Sequence, residues 1–183
     1  ELCWSMVRRL HQSGITVAHS FDIRERISFY EKLCRSHGAL LFEDYEEVKG
    51  WMDWLMDTLD SMERPKCLCH IDANVDNFLF FEDGSVKLLD WEYAGMCDPV
   101  MDVSMCAIYS YYNEEDMERL FRLYLRREPS EDELFALYAN AALGGFLWCL
   151  WAVYKSILGD EFGEYTIIMY RYAKKYYRKL RKL

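Results

Sequence analysis

Apolar positions along the chain recur mostly at helical spacing. From Leu2 to Gln12 they return every three or four residues, and Gly14 stops the pattern. Asp22 with Glu25 three residues later makes a capping box, which predicts a helix from there to about His37, ended by Gly38. Tyr45 to Met62 has the same spacing, with Trp51, Trp54, Leu55 and Leu59 on one side and Pro65 beyond its end. The texture then changes. Cys67-Leu68-Cys69-His70 is a short apolar run. Residues 77–81 and 86–90 flank Glu82-Asp83-Gly84-Ser85, and an Asp-Gly between two apolar runs predicts a β-hairpin. After Pro99 the helical period returns, predicting helices near 100–112, 114–127, 131–158 and 162–181. The expected fold is mainly α with one small hairpin about midway, without internal repeats, linkers or low-complexity segments.

Composition narrows this picture. At 183 residues the chain suits one domain or two small ones. Apolar residues at 52% supply a core, and only 9 Gly and 3 Pro argue for long regular elements over a turn-rich β-sandwich. The net charge of −9 speaks against a nucleic-acid partner, because phosphate contacts need a basic field. Seven Lys and Arg fall in the last 13 residues, leaving 15 basic against 31 acidic residues elsewhere. Such an acidic body suits a cationic substrate or metal ions. The basic end reads as a solvated last helix whose cations suit its C-terminal dipole.

The cysteines number seven, at 3, 34, 67, 69, 97, 106 and 149, in no disulfide framework. Cys67 and Cys69 form C-x-C, and no His/Cys pair nearby in sequence completes a zinc site. Several sit in apolar runs, where Cys behaves as a small hydrophobe. A reducing, cytoplasmic setting is expected. The apolar stretch at 139–153 is too short to span a bilayer, so no stable membrane insertion is expected.

The candidate chemistry surrounds the hairpin: His70-Ile71-Asp72-Ala73-Asn74-Val75-Asp76-Asn77, then Leu88-Leu89-Asp90-Trp91-Glu92-Tyr93. In an antiparallel hairpin Asn77 and Asp90 converge at one end, beside the loop carrying Asp72. An Asp and an Asn offer hard oxygen ligands for Mg²⁺. A further carboxylate can orient or deprotonate a hydroxyl nucleophile. Those are the parts phosphoryl transfer needs.

The pattern H-x-D-x-x-x-x-N, followed 13 residues after Asn77 by a strand ending in Asp90, resembles the catalytic loop and metal-binding Asp of protein-kinase-like phosphotransferases. The D-F-G form is absent. L-L-D-W-E-Y-A is similar instead to the small-molecule branch, the choline and ethanolamine kinases and their aminoglycoside-phosphotransferase relatives. Val7-Arg8-Arg9-Leu10-His11 resembles the R-x-L-H element opening that family's C-terminal lobe. Asp98 to Ser104 resembles its D-P-x-x-D-x-S element.

The resemblance implies the helical C-terminal lobe of a protein-kinase-like α+β fold, with residues 1–183 as one catalytic and substrate-binding lobe. It implies Asp72 as catalytic base, with Asn74 in a weaker role near the phosphates. Asn77 and Asp90 would hold Mg²⁺, and ATP would be the co-substrate. His70 would fix the loop and Asp102 would brace it, while His11 and His19 read as structural. Tyr109, Tyr111 and Tyr112 could line the pocket rim, but the favoured reading is ordinary helix surface and core.

For the acceptor, Trp148 and Trp151 stand at i, i+3 on one helical face, and Glu161-Phe162-Gly163-Glu164-Tyr165 follows. A quaternary ammonium donates no hydrogen bond and is held by aromatic faces, each worth roughly 0.5–2 kcal/mol. Taken alone, an i, i+3 Trp pair is more often core packing. The segment resembles the choline-binding end of choline kinases, which implies Trp148, Trp151, Phe162, Tyr165 and Tyr93 as the cage and Glu92 as its acidic neighbour. The partner implied is choline or a similar amino alcohol. Ethanolamine and aminoglycosides are the alternative acceptors. A non-catalytic quaternary-amine-binding module and a helical interaction domain with a decayed motif are the alternatives of other classes. Oligomeric state is not legible.

No Gly-rich phosphate loop or strand Lys occurs, so the N-terminal ATP-binding lobe is not present in this chain. The chain reads either as a fragment of a larger kinase or as a natural lobe-only protein. Alone it is expected to grip adenine poorly.

Overall fold

The computed structural model describes residues 2–39 and 42–182. Its contacts group into two compact units. The first combines Glu1–Phe21 with Arg64–Leu137, and the second Asp22–Glu63 with Tyr138–Leu183. Seven α-helices and four short strands occur among the described residues. The expected mainly α fold with a small hairpin is therefore present.

In the first unit, helix α1 (Leu2–His11) is followed by a loop and by strand β1 (Cys67–Cys69). The hairpin forms from β2 (Phe78–Phe80) and β3 (Val86–Leu88), with Phe78 opposite Leu88 and Gly84 at φ 79° in its turn. A positive φ there is the reason the turn uses Gly. One element lies outside the sequence reading. Strand β4 (Gly95–Cys97) pairs antiparallel with β1, setting Cys67 opposite Cys97. Residues 19–21 join its other edge, through Met96 N to His19 O and Phe21 N to Met96 O, both 3.2 Å. Gly95 permits this approach, because a Cβ there would meet Phe21 N at 2.7 Å.

Helices α4 (Val100–Tyr109) and α5 (Glu114–Leu125) complete the unit, with the first turns of α6 (Glu131–Ile157). Helix α4 is buried from Val100 to Ile108 and stops short of the expected 112, because Tyr111 turns at φ 54°. Asn113 caps α5 by accepting from Asp116 N at 3.0 Å.

In the second unit, Asp22 accepts from Arg24 N and Glu25 N to start α2 (Ile23–Ser36). Helix α3 (Tyr45–Ser61) buries Val48, Met52 and Leu55. Its Trp51 stacks on Tyr177 of α7 (Tyr165–Leu180) at 4.6 Å between ring centroids. The rest of α6 packs closely on α7. A Cβ at Gly145 would meet Met169 O at 2.6 Å, so a side chain there would push the helices apart. Helix α7 begins at Tyr165, not 162, because Gly163 turns at φ 53°. It buries Met169, Tyr172, Ala173 and Tyr176 and exposes Arg171, Lys175 and Arg178, which is the solvated basic face expected. By length and composition α6 alone among the described helices is long and apolar enough to cross a membrane, beyond what the 139–153 stretch suggested. Of its most apolar window, 83% is buried inside the protein.

Candidate active site

The site is built on the loop between β1 and β2. Asp102, wholly buried on α4, carries that loop. Its Oδ2 accepts the His70 N–H at 2.9 Å and its Oδ1 accepts the Ile71 N–H at 2.5 Å. Ile71 sits at φ 74°, a left-handed conformation costly for a β-branched residue. The two bonds to Asp102 hold the backbone in that shape. Asp102 also accepts from His11 Nε2 at 2.8 Å, and His11 Nδ1 bonds the Tyr124 hydroxyl at 2.8 Å. The expected bracing contact of Asp102 with the loop backbone is thus geometric fact. His11, which the sequence marked only as structural, is its partner.

His70 is completely buried. Its Nε2 donates to Leu89 O at 2.8 Å, one residue before Asp90, and its ring meets Trp91 edge-on at 4.7 Å. The loop is thereby tied to the end of β3. Its Nδ1 is buried without a hydrogen-bond partner in the described structure.

Asp72 is half-buried at the turn of the loop. Its Oδ1 accepts from Asn74 Nδ2 at 2.9 Å and its Oδ2 from Asn77 Nδ2 at 2.8 Å. The Tyr109 hydroxyl bonds it as well. Burial pushes the Asp72 pKa up, and the bonds from Asn74, Asn77 and Tyr109 oppose that shift by favouring the carboxylate. Three donors fix the direction of its remaining lone pairs, as a base that must meet one particular proton requires.

Asn77 Nδ2 also donates to Asp72 O at 2.8 Å. With its amide nitrogen so engaged, its Oδ1 faces away and is left as an acceptor or ligand. Leu89 N donates to Asn77 O at 2.9 Å, which brings Asp90 to the same end of the hairpin. Asp90 is exposed and at φ 61°. A fixed amide oxygen and a solvent-facing carboxylate on adjacent strand ends fit a hard divalent cation such as Mg²⁺.

Tyr109, which sequence reasoning set aside as ordinary helix surface and core, contacts Asp72. The signal was present, since Asp102 and Tyr109 lie seven apart on α4 and so on one face. Of the candidate cage, Glu92 is exposed and Tyr93 half-buried in the first unit. The other four cluster within the second unit. Trp148 meets Trp151 edge-on at 5.9 Å, Trp151 meets Phe162 at 5.0 Å, and Phe162 meets Tyr165 at 6.2 Å. Trp148 is only 3% exposed, so it backs the cluster, whereas Trp151, Phe162 and Tyr165 reach solvent. Lys155 Nζ stands 5.9 Å from the Trp151 ring centroid.

Residues 1–136 match the phosphotransferase enzyme family. Protein LicA of Haemophilus influenzae is 25% identical over 168 residues, covering 87% of this chain and 48% of its own length. Ethanolamine kinase 1 of Mus musculus is 26% identical over 151 residues, 67% of this chain and 42% of its own. The crystal structure of choline kinase LicA from Streptococcus pneumoniae superposes with a TM-score of 0.84 at 26% identity, covering 97% of this chain and 62% of that one. The chain thus spans about two fifths to three fifths of the length of these relatives. The loop suspended from buried Asp102, with Asp72, Asn77 and the hairpin that ends in Asp90, lies within the matched residues, and the chain belongs to the phosphotransferase enzyme family.

Proposed function

We propose that the chain is the helical, substrate-binding part of an ATP-dependent small-molecule kinase whose acceptor is choline. The observation that carries this reading is the Asp72 carboxylate, held by Asn74, Asn77 and Tyr109 on a loop suspended from Asp102. A base so held is suited to take the proton of an alcohol. As the hydroxyl oxygen bonds the γ-phosphorus and the bond to the bridging oxygen of ATP breaks, that proton passes to Asp72 and ADP leaves. Asn77 and Asp90 are the residues to hold Mg²⁺, which when bound supplies neutralisation of phosphate charge. Asn74 orients Asp72 from the side opposite Asn77.

Choline as acceptor is supported by the ring cluster within the second unit, where a quaternary ammonium suits the solvent-reaching rings of Trp151, Phe162 and Tyr165, backed by Trp148. Tyr93 and Glu92, in the first unit, are further candidates. A primary ammonium needs hydrogen-bond acceptors, and this cluster offers rings. The name of the murine relative keeps ethanolamine as the competing acceptor. Incubation with MgATP and each amino alcohol, followed by ADP release, tests the reaction. Faster turnover with choline is expected. Turnover with ethanolamine alone reassigns the acceptor, and choline binding without ADP from a chain competent to bind ATP reduces the protein to a binding module.

A further inference from the structure

The local sequence around Cys67 and Cys69 lacks the ligands that complete a zinc site, but the fold brings one from far upstream. Cys67 and Cys69 lie two apart on β1, so both point to one face of the strand. That face looks onto α1, whose last residue is His11. The two sulfurs and a ring nitrogen of His11 all lie within 4.8 Å of one another. The sulfurs are 3.8 Å apart. Two thiolates on one tetrahedral zinc, each at ~2.3 Å, stand roughly 3.8 Å from each other. That is also an ordinary thiol contact distance, so the convergence of the imidazole carries the argument.

Two further features belong to such a site. Cys97 is directly opposite Cys67 in the β1–β4 ladder, hence on the same face, and its carbonyl oxygen accepts from the Cys69 thiol at 3.5 Å. Its own thiol bonds Asp98 O at 3.5 Å and would turn from it to become a fourth donor. His11 is already set as a ligand. Asp102 accepts the His70 and Ile71 N–H bonds and takes Nε2–H of His11 as a third. That leaves Nδ1 as the basic nitrogen, now bonded by the Tyr124 hydroxyl at 2.8 Å. A carboxylate on one ring nitrogen and the ion on the other is the arrangement that orients metal-bound histidines.

We propose that His11, Cys67 and Cys69, with Cys97 completing the set, form a zinc site that pins α1 to the β1–β4 ladder. On binding, each thiol loses its proton to solvent as its sulfur–zinc bond forms, and Nδ1 of His11 exchanges the Tyr124 hydroxyl for the ion. Because His11 also holds Asp102, the ion stiffens the support of the catalytic loop and does not enter the reaction. Soft thiolates with imidazole select zinc over the hard cation suited to Asn77 and Asp90.

The test is a titration of the reduced, metal-free protein with Co²⁺, followed by displacement with Zn²⁺. One Co²⁺ per chain is expected, with thiolate-to-cobalt charge-transfer absorption in the near ultraviolet and the intense visible bands of tetrahedral cobalt. Cys69→Ser and Cys67→Ser should each weaken Zn²⁺ binding about tenfold or more. Cys34→Ser, outside the cluster, should leave it unchanged, and Tyr124→Phe should bind at least as tightly because its competing hydroxyl is gone. A wild-type spectrum without thiolate charge transfer overturns the proposal even if the serine variants fail to fold. So does Zn²⁺ binding unchanged in both Cys67→Ser and Cys69→Ser.

Discussion

The Asp72 loop and the aromatic cluster are built from opposite materials. The loop is specified bond by bond. Asp102 fixes two backbone N–H groups, His70 fixes Leu89 O, and Asp72 is held by three side chains. The cluster of Trp148, Trp151, Phe162 and Tyr165 makes edge and tilted ring contacts, which are weaker and less directional. Buried polar networks fail when one member is lost, because a partner stays unpaired. Ring clusters yield by degrees. Changes in the loop should therefore act as switches, and changes in the cluster as adjustments.

The largest break expected is at Asp72. Asp72→Asn removes the proton acceptor and should lower turnover about 10²–10⁴-fold in an ADP-release assay. Asp102→Ala leaves two buried N–H groups and His11 without their acceptor. It should cost about 3–5 kcal/mol, read as a lowered denaturant midpoint. Tyr109→Phe sharpens the comparison. It removes one of the bonds that favour the Asp72 carboxylate, so the pKa of Asp72 should rise further. With Asp72 ionised as the proposed base, activity should fall as pH drops through its pKa, which burial raises above that of an ordinary Asp. In Tyr109→Phe this acid limb should move to still higher pH, with turnover at high pH nearly kept. Gly145→Ala, within the second unit, should destabilise by about 1–3 kcal/mol, because the new methyl meets the α7 backbone.

Legibility in sequence followed the same division. The hairpin turn, the Asp22 cap and the H-x-D-x-x-x-x-N loop are local signals, and each could be read from a few consecutive residues. Strand β4 could not. Gly95-Met96-Cys97 is too short to alternate, and it becomes a strand only by pairing with β1 and residues 19–21. The contacts of Tyr109 with Asp72 and of His11 with Asp102 join distant segments, so only the shared face of α4 hinted at the first. The start of α7 was read three residues early because Phe162-Gly163-Glu164 keeps helical composition while Gly163 turns the chain. The cage candidates were legible as aromatics, but which of them is buried was not. Trp148 proves to be backing and Trp151 the accessible face.

The central claim, an amino-alcohol kinase built for choline, meets its most direct test in calorimetric titration of choline, with ethanolamine as control and Trp151→Ala as the altered protein. Saturable choline binding, about tenfold or more tighter than ethanolamine and largely lost in Trp151→Ala, is the result the account predicts. Equal binding of the two amino alcohols, or choline binding untouched by Trp151→Ala, would contradict it.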